Sequence, residues 1–213
     1  MKRIPIYFNY IGSYPEILDR AIKSIPPRFE VKVNWNENPL PFTKCLNHIL
    51  ETEKSQIWFF MHYDAEILDP SIFDKMLDVY DDGLDHEGRP IAAVSSCSIL
   101  DLLILIDSER IKFVGGWDEG LKNSYMEVDL RRRIYDAGFG NPIIYEDSEC
   151  PVEMSHNDYS LLRDPEKEGN ISHIYKKSLE EDFTYFYTKW EGVFEKPSSL
   201  EDFLKSNPHQ KRK

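Results

Sequence analysis

Ile57-Trp58-Phe59-Phe60-Met61-His62-Tyr63-Asp64 is the stretch that decides the fold. Its apolar part runs unbroken and then stops at polar residues. That pattern suits a short strand buried on both faces, and such strands belong to parallel sheets covered by helices on each side. The polar end carries weight of its own, because ligands of open α/β sheets gather beyond the carboxyl ends of the strands.

Upstream, Phe42, Cys45, Leu46, Ile49 and Leu50 recur on one face of an amphipathic helix leading into this strand. Before that helix, Ile4 to Phe8 reads as a first strand. Ser13 with Tyr14-Pro15 supplies an N-cap and a first-turn proline for a helix carrying Ile17, Leu18, Ala21, Ile22 and Ile25. Pro26-Pro27 stops it ahead of a second strand at Glu30 to Trp35, which makes a β-α-β opening. Downstream, Asp69-Pro70 caps a helix with Ile72, Phe73, Met76, Leu77 and Tyr80, and Asp81 to Arg89 reads as a loop. Strands are expected near Ile91 to Val94, Leu102 to Ile106 and Asn141 to Tyr145, with helices over Tyr125 to Ala137, closed by Gly138, and over Ser172 to Trp190. Alternating strands and helices give an α/β fold around a largely parallel sheet.

The chain has 213 residues, 41% of them hydrophobic, enough for one sizeable core, so residues 1–195 are expected to form a single domain and 196–213 a polar tail or linker. A formal net charge of −12 argues against a nucleic-acid partner, whose phosphates are bound by Lys and Arg. Cys45, Cys97 and Cys150 are odd in number and not in CxxC pairs, so no disulfide framework or zinc site is indicated and a reducing, cytoplasmic setting is expected. The N-terminus has no apolar core of signal-peptide type, and no run of about 18 apolar residues marks a membrane span.

Chemistry is sought at the strand end and in a later segment. A carboxylate at Asp64 can hold Mn²⁺ or Mg²⁺, and through the ion a diphosphate that an acidic protein would otherwise repel. Alternatively Asp64 only begins a turn before Glu66 to Pro70. The later segment is Phe113-Val114-Gly115-Gly116-Trp117-Asp118-Glu119, followed by Tyr125-Met126-Glu127-Val128-Asp129-Leu130. Acids two apart cannot share a helix face, so Glu127 and Asp129 are expected to have different duties, one facing a cleft and one bracing the loop. They could also simply complement the helix dipole.

The order of these features resembles the GT-A glycosyltransferases, especially their inverting family-2-like group. These share an apolar strand ending in a DxD-like triplet (His62-Tyr63-Asp64), a GG-aromatic-DE loop (Gly115 to Glu119), an ED-x-DL-type helix start (Met126 to Leu130) and a late helix ending in Lys189-Trp190. The likeness runs from Ile4 to about Trp190. The short acidic chain with divergent motifs is also similar to glycosyltransferase domains of large algal viruses that build capsid glycans, which would put it in a host cytoplasm.

The resemblance implies a GT-A, Rossmann-like fold and transfer of a sugar from a UDP-sugar to a glycan hydroxyl. It implies Asp64 as metal ligand, His156 from a later loop as a second ligand, and Glu127 as general base with Asp129 in support. It puts the base and ribose near Phe8, Asn9, Tyr10, Asn36 and Asn38, with Asn47 and Lys44 as further nucleotide contacts, His62 and Tyr63 beside the diphosphate, Asp101 at the sugar, and Arg163 or Lys167 on the leaving diphosphate. Two departures stand out: His62 and Met126 occupy positions where the family carries acids. They motivate a rival expectation, a non-catalytic nucleotide- or glycan-binding module on the same fold. A nucleotidyltransferase fits less well, since no glycine-rich phosphate loop follows the first strand.

Overall fold

The computed structural model describes residues 3–10, 15–35, 41–97, 102–122, 124–146, 149–154 and 168–194, with backbone alone for Trp35, Met154 and residues 168–177. In chain order the elements are β1 (Pro5–Tyr10), α1 (Pro15–Lys23), β2 (Glu30–Trp35), α2 (Phe42–Thr52), β3 (Ile57–Met61), β4 (Ala65–Ile67), α3 (Ser71–Asp81), β5 (Ala93–Ser95), β6 (Leu103–Asp107), α4 (Ser108–Phe113), α5 (Met126–Asp136), β7 (Val152–Met154) and α6 (Glu168–Lys189).

The main sheet has the order β2-β1-β3-β6-β5. β1 pairs in parallel with β2 and β3, whereas β6 is antiparallel to both β3 and β5. β5 therefore runs in the direction of β3, and β6 alone runs against the rest. This is the mixed, mostly parallel α/β sheet with flanking helices that the sequence implies. β3 lies at its centre and is covered on both sides, which is why its sequence shows no alternation. Phe59 and Met61 pack with α1 (Leu18, Ala21) and α3 (Ile72, Phe73, Met76), while Trp58 and Phe60 pack with α2 (Leu46, Ile49, Leu50), α5 (Leu130, Ile134) and Phe186 of α6.

Three features differ from the sequence-based expectation. The stretch 141–145 forms no strand of its own. It runs beside β5 through isolated contacts, Ser95 N donating to Pro142 O and Ile144 N to Ser95 O, each at 3.0 Å, because Pro142 has no N–H with which to continue a ladder. The short α4 follows β6 directly, started by Asp107, whose carboxylate accepts from Arg110 N at 3.0 Å. β4 pairs antiparallel with β7, so the chain just after Asp64 is tied to Val152–Met154 rather than being only a turn. No helix of the described residues is long and apolar enough to cross a membrane.

One buried charge anchors the face that carries α2. Glu53, just past α2, accepts from Tyr7 Oη at 2.6 Å, Lys32 Nζ at 2.7 Å, Lys54 N at 2.8 Å and Ser55 N at 2.7 Å. Burial would raise its carboxyl pKa, but the Lys32 and Tyr7 hydrogen bonds outweigh burial and hold it far below the usual carboxylate range. Burial and the Glu53 carboxylate push the Tyr7 phenol up to about 12.

A carboxyl whose pKa is depressed on folding stabilises the fold at neutral pH, and that stabilisation is lost as pH falls below its unfolded value of about 4.3. Glu53→Gln is therefore expected to lower unfolding free energy by about 1–3 kcal/mol at pH 7. The gap from wild type should begin to close below about pH 5 and go on closing through the strongly acid range, because the folded carboxyl gives up its charge only far below the unfolded value. Urea titrations at stepped pH check this, and a gap independent of pH would show that Glu53 contributes through packing alone.

Candidate functional site

The carboxyl ends of β1, β2 and β3 bring Asn9, Tyr10, Asn34, His62, Tyr63 and Asp64 to one edge of the sheet. Asn34 Nδ2 donates to Asn9 Oδ1 at 3.3 Å, and the Tyr10 ring meets Tyr63 edge-on with centroids 5.6 Å apart. Phe8 does not belong to this group. It is 0% exposed in the apolar layer under α1 and α3, which leaves it no surface to offer a nucleotide. Alternation along β1 puts Asn9 on the other face, while Tyr10 shares the face of Phe8, is 1% exposed and reaches this edge through its ring contact with Tyr63.

After β3 the chain makes a tight turn, His62 N donating to Leu102 O at 3.0 Å and Ala65 N to His62 O at 3.1 Å. The His62 ring is held against Phe42 and Phe60, each at a centroid distance of 5.6 Å. The turn tucks Asp64 inward until it is 1% exposed, with His62 Nδ1 3.9 Å from Asp64 Oδ1. A carboxylate and an imidazole are donor types that a divalent cation takes, and Asp64 would be the residue here to hold one. Among the described residues no group of three His, Cys, Asp or Glu side chains gathers as a metal site. His156, Asp101, Arg163, Lys167, Asn36 and Asn38 lie outside the described residues.

The glycine-rich loop is clamped by α2. Asn47 Nδ2 donates to Trp117 O at 2.8 Å and to Glu119 Oε1 at 3.1 Å, and its Oδ1 accepts from Trp117 N at 2.8 Å. Asn47, expected at the nucleotide, thus has its side-chain amide engaged by the loop. The loop can approach this closely only because residue 116 is glycine: φ is +66°, and a Cβ there would sit 2.6 Å from Asn47 Oδ1. Phe42 N also donates to Lys122 O at 2.9 Å, which carries the loop toward the His62 side of α2. An open polar hollow of about 400 Å³ lies here, lined by Asn47, Trp117, Asp118, Glu119, Arg133 and Lys189.

The two acids in the first turn of α5 go to different places. Asp129 is 0% exposed and accepts from Arg133 Nε at 2.8 Å, Lys189 Nζ at 2.6 Å and Trp190 Nε1 at 2.9 Å. Lys189 also donates to Asp118 Oδ2 at 2.6 Å. Burial would lower the Lys189 ammonium pKa, but these two carboxylates outweigh it and push the pKa up. Glu127 is half-buried on another face, which it shares with Arg131 four residues on. Arg131 Nη2 donates to Cys97 O at 3.1 Å, just past the end of β5. Since β5 runs with β3, this face of α5 reaches through Arg131 the same end of the sheet as His62-Tyr63-Asp64, whereas Arg133 and Lys189, the partners of Asp129, line the hollow.

α6 offers the site more than the Lys189-Trp190 pair that the resemblance points to. Asp182, Tyr185 and Lys189 recur at i, i+3 and i+7, a stripe of polar groups that all reach the loop or α5. That spacing was the available signal.

No protein-family model and no curated protein matches this chain. Solved structures do. The chain is similar to a mutant Drosophila β1,4-galactosyltransferase 7 in complex with manganese, UDP-Gal and xylobiose, with TM-score 0.55 and 14% identity over 82% of this chain and 79% of that one. It is similar to the Pyrobaculum calidifontis mannosyltransferase PcManGT in complex with GDP-Man and Mn²⁺, with TM-score 0.57 and 12% identity over 92% and 66%. It is also similar to S. aureus TarS, with TM-score 0.50 and 12% identity over 95% and 77%. The likeness is one of fold: the chain has the GT-A fold of these glycosyltransferases.

Asp129→Ala would leave Arg133 and Lys189 without the buried charge between them. It is expected to cost about 3 kcal/mol of stability. Chemical denaturation of the variant checks this, and a loss under about 1 kcal/mol would mean that Asp129 does not brace α5.

Proposed function

We propose that this protein is a metal-dependent glycosyltransferase that moves a sugar from a UDP-sugar onto a glycan hydroxyl by a single displacement with inversion. One observation carries the reading: on a GT-A fold, the buried Asp64 turn and, through Arg131, the Glu127 face of α5 reach the same end of the sheet. Asp64 and His156 would hold the divalent ion, which when bound stabilises the charge of the departing diphosphate. Glu127 takes the proton of the acceptor hydroxyl, and Asp129, saturated by its donors, positions the helix. Asn9 and Asn34 offer hydrogen bonds to the nucleobase and ribose, with Tyr10 and Tyr63 beside them and Asn36 and Asn38 following. His62 borders the diphosphate, Asp101 serves the sugar, and Arg163 meets the leaving group. Orientation of donor and acceptor supplies much of the remaining rate.

The donor base is proposed as uracil on the family resemblance; of the similar structures, one holds UDP-Gal and another GDP-Man. The transferred sugar is proposed as a hexose or 6-deoxyhexose of glucose or rhamnose type, and the setting as cytoplasmic. The likeness to algal-virus domains rests on length and motif divergence, and none of the three structures compared is viral. A second reading, a binding module without turnover, is favoured by His62 and by Met126, which stands in an acid's place yet is buried in the apolar layer. Release of UDP from a panel of UDP- and GDP-sugars in Mn²⁺, with and without glycan acceptors, separates the two. Binding of UDP with no release from any donor favours the module.

Asp64→Ala is expected to abolish Mn²⁺-dependent UDP binding in calorimetric titration while the far-ultraviolet spectrum stays native. His156→Ala should weaken binding less, since imidazole donates to the ion without cancelling charge. Unchanged affinity in either variant removes that residue from the metal site.

Glu127→Gln is expected to keep UDP affinity and lose at least ~10²-fold in turnover, because a general base acts on the acceptor and not on the diphosphate. Transfer at near the wild-type rate would take the base elsewhere.

A further inference from the structure

Tyr125 is the sole non-glycine residue with positive φ among the described residues, at +61°, and it stands at the N-cap of α5, two positions before Glu127. A bulky residue in the left-handed region costs on the order of 1 kcal/mol or more and persists only where its surroundings hold it there. Here the holding group is α6, and it acts on both the backbone and the ring. Asp182, fully buried, accepts from Lys122 N through Oδ1 and from Ser124 N through Oδ2, each at 2.9 Å, fixing the chain immediately before the corner. The Tyr125 ring stacks on Phe186 with centroids 4.9 Å apart and planes 20° from parallel, and it meets Phe183 and Tyr187 edge-on at 6.2 and 5.9 Å. One turn on, Lys189 and Trp190 reach Asp129 in the first turn of α5.

These groups meet the loop before α5 and the first turn of α5. All of them act on the direction in which α5 begins.

We infer that Asp182 is a positioning residue: with the aromatic seat of Tyr125, it holds the strained corner that aims Glu127 at the acceptor. The inference rests on the reading of Glu127 as general base. A carboxylate with both oxygens on backbone N–H groups sets where the loop ends, and the left-handed Tyr125 sets how the first turn of α5 leaves it. Displacement of a catalytic group by about 1 Å costs on the order of 10²-fold in rate, so the clamp works on turnover while leaving the donor site alone.

The test is a double-mutant cycle on the full chain, reading UDP release from UDP-glucose, or from whichever UDP-sugar of the panel turns over fastest. Asp182→Asn puts an amide N–H where one backbone N–H needs an acceptor. Alone it is expected to lower kcat by ~10–100-fold with UDP affinity in Mn²⁺ unchanged. In a Glu127→Gln background it should cost less than ~3-fold, since two changes acting through one group do not add. Amide hydrogen exchange should rise over residues 121–130 and stay at the wild-type level in β1 and β3. If Asp182→Asn does not fold, Tyr125→Asn replaces it in the same cycle, because Asn accepts the left-handed φ but gives up the aromatic seat.

Equal loss in both backgrounds, unchanged turnover of the single variant, or exchange raised throughout the chain overturns the positioning role and leaves Glu127 standing. Wild-type turnover of Glu127→Gln alone overturns the reading beneath it.

Discussion

β3 is apolar toward both layers of helices, and most of the architecture answers to that constraint. A strand with no polar face must be covered twice, so α1 and α3 close one side while α2, α5 and α6 close the other. Its neighbours must satisfy its backbone groups on both edges, which β1 and β6 do. Its polar groups are left with a single place, the end of the strand. The His62-Tyr63-Asp64 turn is therefore a consequence of the central strand's burial, and chemistry accumulates where the fold permits polarity.

The second layer is joined by carboxylates rather than by apolar contact alone. Glu53, Asp129 and Asp182 are buried acids in a chain of net charge −12, and each draws donors from a segment distant in sequence. A buried carboxylate is costly by itself and tolerable only when its oxygens are occupied. Here the occupants come from β1 and β2, from α5 and α6, and from the loop before α5, so each acid acts as a joint between elements distant in sequence. An apolar interface lets helices slide, whereas such a joint admits one register. This gives α5 a defined pose, with Glu127 and Asp129 in its first turn.

Much of the fold is legible because burial writes a period into sequence. β3 shows none since both faces are covered, α2 and α5 show the helical one, and Gly138, with φ +79°, ends α5 as a left-handed cap. What escapes are elements made by pairing: β4 and β7 are three residues each and exist through one another, and α4 is a single capped turn or so. The site divides the same way. That polar residues would stand at the ends of β1 and β3 follows from order along the chain. That Asn47 would bind Trp117, or that Asp182 would hold the chain at Lys122 and Ser124, depends on separations of 70 and about 60 residues that no local pattern encodes. Phe8 shows the limit of reading by neighbourhood: it stands beside Asn9 in sequence and on the opposite side of the strand in space.

The stretch alongside β5 has a further consequence, for how copies of this chain meet one another in a crowded solution. An open sheet exposes a row of backbone donors and acceptors at its border, and any second chain with an extended segment can continue it. At this border the outermost stretch is short, engages β5 through isolated bonds, and carries Pro142 near its start. The Pro142 and Ile144 groups are turned inward to Ser95, so an incoming strand would find only the few outward groups between them. The residue that keeps 141–145 from becoming a strand thus also makes this one border of the sheet a poor template for a second chain.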